Sequence, residues 1–234
     1  MFKYLCPLHQ SMQYEEIIKK LKSSSNPKNV EGMSRSGINP KNTLGISIPV
    51  LRKLGREIGK NHDLALNLWS SGVHEARILA ALVDDPSKVT EKQMEEWVKD
   101  FDSWDVCDQV CMNLFDKTPF AVKKAVEWIS RKKEFVRRAS FALMASLAFH
   151  NKKLCDGEFK KFLPIIRKYS VDERNFVKKS VNWALRQIGK RNLVLNKAAI
   201  KTAEEILKLD SKAARWIAND ALKECGAVKK RLRG

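Results

Sequence analysis

A chain of 234 residues, 44% of them apolar, is long enough for one large domain or two small ones and can fill a core, which excludes bulk disorder. No apolar run approaches the roughly 18 residues of a membrane span, and the opening segment, Met1 to Gln10, reads as too short and too polar for a secretory signal. The formal net charge of +18 is lopsided: residues 1–116 hold 15 Lys and Arg against 16 Asp and Glu, whereas residues 117–234 hold 30 against 11.

Such asymmetry points to a polyanion partner for the second half; the alternative is a surface that is merely soluble. The five cysteines (Cys6, Cys107, Cys111, Cys155, Cys225) are odd in number, spread out and without a CxxC pair. A disulfide scaffold and structural zinc are therefore poor readings, and a reducing compartment is expected. Four scattered histidines (His9, His62, His74, His150) offer no metal constellation, so no metal or cofactor is expected.

Apolar stripes at 3.6-residue spacing recur from Tyr14 to Cys225 without alternating polarity, which predicts an all-α chain. The pattern predicts helices over 12–23, 27–35, 48–59, 62–71, 73–84, 90–100, 103–116, 119–130, 134–149, 156–169, 173–189, 195–208 and 211–225. The breaks are short and carry the expected punctuation: Asn26-Pro27, Asp85-Pro86, Thr118-Pro119, Asp156-Gly157 and Ser170-Val171-Asp172. The longest irregular stretch, Ser36 to Ser47, holds Gly37, Pro40 and Gly45 and reads as a functional loop.

In the helix over 103–116, Asp102 or Ser103 reads as the N-cap, with Asp105 completing the cap or meeting the helix dipole. Val106, Cys107, Val110, Cys111 and Leu114 form the core stripe, the two cysteines serving as small hydrophobes. Trp104 and Asp108 share a face beyond its edge. Asp108 lies past the usual capping positions and is either a working carboxylate or an ordinary solvated or ion-paired one. Further along, Arg138 sits opposite Val136, Leu143 and Leu147, above Ala142 and Ala145. From there its guanidinium can reach a phosphate bidentately or form an interhelical ion pair, Asp108 being one partner it could take.

Between Asn175 and Arg191 the packing side is Phe176, Val177, Ser180, Val181, Ala184, Leu185 and Ile188. Trp183 lies about 115° from the middle of that stripe, among Lys179, Arg186, Gln187 and Lys190. An indole in a row of cations suits a flat or sugar-like ligand that carries phosphates. The alternative is that it packs on a neighbouring helix.

Internal similarity adds a period. Phe135-Val136-Arg137-Arg138 recurs 41 residues later as Phe176-Val177-Lys178-Lys179, and Val122 to Trp128 resembles Val177 to Trp183. Paired helices repeating near 40 residues mark a HEAT-like (armadillo-type) solenoid. The expectation is a single domain: variable helices and a loop over 1–46, repeats over 47–225 and a basic tail over 226–234. Neighbouring pairs would share one core, and the helix over 134–149, apolar or small nearly all round, must be sandwiched. One helix of each pair would line a concave groove, where Arg137, Lys178, Lys179, Arg186 and Lys190 would meet the phosphates of a polyanion. The tail, Lys229 to Arg233, would add nonspecific phosphate contacts or simply aid solubility.

No phosphate-cradling glycine loop, GxSxG or spaced His/Cys pair occurs, so an enzyme built on this chain would rest on a carboxylate, two aromatics and cations. The chain resembles the AlkD-like DNA alkylation-repair family, DNA glycosylases built from HEAT-like repeats, from about Leu44 to Leu222. The motifs are Gly45-Ile46, Pro49 and Arg52; Trp104-Asp105 with Asp108; Arg138 opening a helix; and Lys178-Lys179, Trp183 and Leu185-Arg186.

The resemblance implies that Asp108 is the catalytic aspartate, that Trp104 and Trp183 flank the lesion's deoxyribose, and that Arg138 contacts the DNA backbone. It implies removal of N3- and N7-alkylated purines while the duplex lies on a concave surface, without base flipping. The implied partner is alkylated duplex DNA, met by a cytoplasmic, nucleoid-associated monomer (nuclear in a eukaryote) without cofactor or membrane. The chain departs from the family at Arg35-Ser36-Gly37, where an aromatic is expected. Two readings from other classes stay open: a non-catalytic nucleic-acid-binding repeat protein and a scaffold for an acidic protein partner.

Overall fold

The computed structural model describes residues 7–231, with side chains from 13 to 228. The signal-peptide reading of the first residues, Cys6, the His9 side chain and the side chains of the tail from Lys229 onward lie outside the described residues. Among those described there is no strand, and thirteen α-helices follow one another. They are α1 (Pro7–Ser23), α2 (Pro27–Arg35), α3 (Ile48–Ile58), α4 (His62–Ser70), α5 (His74–Val83), α6 (Glu91–Lys99) and α7 (Trp104–Asn113), then α8 (Ala121–Glu127), α9 (Glu134–His150), α10 (Asp156–Tyr169), α11 (Asn175–Arg191), α12 (Leu193–Leu207) and α13 (Lys212–Arg231). Each expected segment is helical. Two expected ends tighten instead into 3₁₀ turns, at Phe115–Lys117 and Trp128–Ser130, and α13 continues past the expected start of the tail.

The chain divides into two compact units, residues 1–114 and 115–234. The first holds 15 basic and 15 acidic residues and the second 30 and 12, so the whole net charge belongs to the second.

In the first unit α3, α5 and α7 stack in sequence, α4 pairs with α5, and α1 lies on α4 and α5. Trp69 of α4 and Trp97 of α6 stack face to face, 4.0 Å apart and 2° from parallel. The Trp69 Nε1–H donates to Asp100 Oδ2 at 3.0 Å, so the indoles bury their area without stranding that donor. Fully buried Asp84 joins three elements, accepting from Gln93 Nε2 at 2.7 Å and lying 2.6 Å from His62 Nδ1.

In the second unit α9 packs against α8, α10 and α11, and α11 packs against α12 and α13. Every residue of α9 from Arg138 to Ala148 is buried, as its all-round apolar sequence requires. Each large side chain there contributes about 1.5–3 kcal/mol. The 41-residue repeat is physical, since Phe135 and Phe176 meet with ring centroids 5.4 Å apart. The likeness of Val122–Trp128 to Val177–Trp183 is one of pattern only. Trp128 is fully buried in a 3₁₀ turn against Phe115, and α8 flanks α9 where α11 stacks beside it.

Helix starts follow two rules. α2, α4, α6 and α12 cap themselves through Asn26, Asn61, Thr90 and Asn192, each accepting from the backbone N–H three residues on. The stacked helices α3, α5, α7, α9 and α11 have no such bond. A neighbour's carboxylate serves one of the stacked starts, Glu134 of α9 accepting from Phe176 N of α11 at 3.3 Å, and at α13 both devices act: Ser211 Oγ accepts from Ala214 N at 3.2 Å and Glu173 accepts from Ala213 N at 3.1 Å. The expected cap of α7 is thereby corrected. Ser103 occupies the N-cap position, but its Oγ accepts from Asn39 N (2.9 Å) and Asp102 accepts from Asn39 Nδ2 (2.8 Å), so both hold the 36–47 loop.

Candidate functional site

The loop over 36–47 is held from beneath by Glu75 on α5. This carboxylate is 0% exposed and accepts from the backbone N–H groups of Leu44 (2.8 Å), Gly45 (2.7 Å) and Ile46 (3.2 Å). Three backbone donors satisfy a charge that burial alone would make prohibitive. Gly45 has φ +80°, and a Cβ there would stand 2.2 Å from the Asn26 carbonyl oxygen. The Gly45-Ile46 motif is thus a structural requirement of the loop.

Trp104, the first residue of α7, is half-buried, and its Nε1–H donates to the Ser36 carbonyl at 3.1 Å. The acceptor that orients this indole is thus a backbone carbonyl within the Arg35-Ser36-Gly37 stretch. Asp108 is half-buried one turn further along α7, on the same side.

Asp105 points elsewhere. At 7% exposure it accepts from Val106 N at 2.9 Å, and its Oδ2 lies 2.8 Å from Nε2 of His74, itself 4% exposed. Burial opposes charge on His74, but the Asp105 hydrogen bond and the charges of Asp105, Glu75 and Asp102 outweigh it and raise its pKa above the usual histidine value. Asp105 thus links α7 to α5 besides bonding within its own first turn.

In the second unit Arg138 is 6% exposed, and its Nη1–H donates to the Phe176 carbonyl at 2.6 Å. It lies inside the packing of α9 and α11, so of the two readings of the sequence, an outward reach to phosphate and an interhelical pairing, the observed bond is interhelical, to a backbone carbonyl rather than to a carboxylate. Arg137 donates from Nε to the Ile129 carbonyl (2.9 Å) and from Nη1 to Asp172 Oδ2 (2.9 Å), and its guanidinium lies 5.0 Å from the Tyr169 ring centroid.

Along α11, Trp183 is half-buried and Lys179 exposed. The cations beyond them are less free than the sequence implies. Arg186 Nη1 meets Asp220 Oδ2 at 2.9 Å and Glu224 Oε2 at 2.7 Å, and Lys190 pairs with Glu224. Asp220 and Glu224 are one turn apart on α13 and match Arg186 and Lys190, one turn apart on α11. Lys178 holds its ammonium 5.2 Å from the ring centroid of Trp216.

The structure thus brings Trp104 and Asp108 together on α7, sets Arg137 and Arg138 at the start of α9, and distributes Lys178, Lys179, Trp183, Arg186 and Lys190 along α11. Sequence reasoning passed over Trp216, 42% exposed, and over Asp172 and Arg174. The available signal was a charged triplet ending one residue short of each copy of the repeated motif, Arg131-Lys132-Lys133 and Asp172-Glu173-Arg174. Among the described residues no group of three or more His, Cys, Asp and Glu side chains could hold a metal ion, and no helix is long and apolar enough to cross a membrane.

Stacked helix pairs with a repeated helix-start motif define an all-α HEAT-like repeat protein. The chain belongs to the DNA alkylation repair enzyme family, whose model matches residues 17–225. It is 24% identical over 200 residues to Uncharacterized protein Lin0241 of Listeria innocua serovar 6a, covering 84% of this chain and 87% of that one. Among solved structures, it superposes with a TM-score of 0.76 on a member of a family described as related to the HEAT-like repeat DNA glycosylases with affinity for branched DNA structures. That match covers 92% of this chain and 96% of the other at 16% identity, and it shows the shared fold.

Proposed function

We propose that the protein is a DNA glycosylase that hydrolyses the N-glycosidic bond of N3- and N7-alkylated purines in duplex DNA. Asp108 is assigned the catalytic carboxylate, Trp104 and Trp183 the aromatic roles, and Arg137, Lys178 and Lys179 phosphate contacts; Arg138, 6% exposed and bonded to the Phe176 carbonyl, would contact the DNA backbone only by leaving that bond. Arg186 and Lys190 join those contacts by exchanging Glu224 for phosphate. The observation that carries the reading is the half-buried Asp108 beside an oriented Trp104 on α7, in a chain of the DNA alkylation repair family.

The chemistry needs little more. An alkylated purine is cationic and departs with the electron pair of the C1′–N bond, so no strong acid is required. Positive charge develops on the sugar, where a carboxylate stabilises it and orients the water that adds to C1′. Indole faces contribute about 0.5–2 kcal/mol per contact to the same charge.

The test is product analysis of a duplex carrying N7-methylguanine or N3-methyladenine after incubation with the purified protein. Release of the free methylpurine is expected, leaving an abasic site. Tight binding with no release would contradict catalysis and leave the nucleic-acid-binding reading. Branched DNA, for which the solved relative is described as having affinity, is then the ligand to compare with duplex.

A further inference from the structure

We infer that a recess in the second unit, between the segments that lead into α9 and α11, seats a backbone phosphate of a nucleic-acid strand. It measures about 510 Å³ and is lined by Lys132, Arg137, Lys168, Tyr169, Val171, Asp172 and Arg174. The inference rests on the DNA-binding part of the reading above and is independent of its catalytic part.

Asp172 organises the recess. Its Oδ1 accepts from Arg174 Nε at 2.9 Å, and its Oδ2 accepts from Arg174 Nη2 at 2.6 Å and Arg137 Nη1 at 2.9 Å. The Ile129 carbonyl fixes Arg137 through Nε, and the Lys132 carbonyl fixes Arg174 through Nη1 at 2.8 Å. A guanidinium carries five N–H groups, so donors remain on both arginines beyond these bonds. One carboxylate among four cations leaves three positive charges around the recess. Two guanidiniums locked before a ligand arrives lose little further freedom on binding, which is what a phosphate clamp requires.

The floor is Tyr169, with Arg137 at 5.0 Å and the Lys168 ammonium at 5.7 Å from its ring centroid. Lys132 and Lys168 are exposed at the rim. A strand suits the recess better than a small free anion because the positive charge continues past it. Lys178 and Lys179 follow on α11, the latter about 7 Å further along the axis, in the unit that carries the whole +18.

The experiment measures affinity for undamaged duplex across a salt series, using the full chain and a Lys132→Gln/Lys168→Gln double variant. Both side chains are exposed and neither holds Asp172, so folding should be untouched; thermal unfolding checks this. Arg174→Gln is the second variant. Binding should weaken about threefold to tenfold, and the log–log salt slope should fall in magnitude by about 1. An unchanged slope and affinity in both variants, with wild-type unfolding temperature, would overturn the inference. So would an unchanged slope in variants that lose binding of inorganic phosphate, which would make the recess a free-phosphate site. Methylpurine release by the wild type alongside an unchanged variant slope overturns only this inference, whereas no salt-dependent DNA binding by the wild type overturns the proposed function as well.

Discussion

Gly45 and Glu75 show how a single residue places the loop that orients Trp104. Gly45→Ala forces a Cβ into the left-handed region and against the Asn26 carbonyl, and should cost about 1–3 kcal/mol of stability, measurable by chemical denaturation. The glycine was legible as a loop residue, but its reason was not, because the backbone carbonyl that a Cβ would meet belongs to Asn26, in another segment of the chain. The same holds for Asp105. Its position in a first helical turn invited a capping role, whereas its principal partner, His74, is on another helix. Because the folded state raises the His74 pKa, the stabilisation from that pair is complete below the unfolded value of about 6.5 and is lost as pH rises through the folded value. The gap in unfolding temperature between wild type and His74→Gln should therefore be widest in mild acid and narrow towards alkaline pH. A gap that grows with pH would contradict the assignment.

Helical elements were the most legible scale, since period and punctuation act locally. Asn26, Asn61, Thr90 and Asn192 cap their own helices and mark each start in the sequence. The starts of α11 and α13 take a carboxylate from about 40 residues away, and no local pattern announces that. α11 carries the same lesson for the candidate site. Its spacing correctly set Trp183 outside the core stripe, but could not show that α13 supplies Asp220 and Glu224 to Arg186 and Lys190. Glu224→Gln should release Lys190, leave Arg186 with Asp220 alone, and raise affinity for undamaged duplex about twofold to fivefold at low salt. Equal affinity in a direct titration would mean that neither cation reaches DNA.

At the scale of the molecule, the lopsided charge seen in the sequence is sharper in the structure: one unit is neutral and the other carries +18. A polyanion contact centred on the second unit and covering about six phosphates should give a log–log salt slope near −5; a nearly flat dependence would point away from nucleic acid. Composition made the partner's class legible, while the chemistry rests on a carboxylate whose role no composition reveals. The most direct measurement is the single-turnover rate of methylpurine release from methylated duplex by Asp108→Asn, with DNA affinity followed in parallel. The account predicts a rate lower by about 10²–10³ at nearly unchanged affinity. Release at the wild-type rate would contradict it.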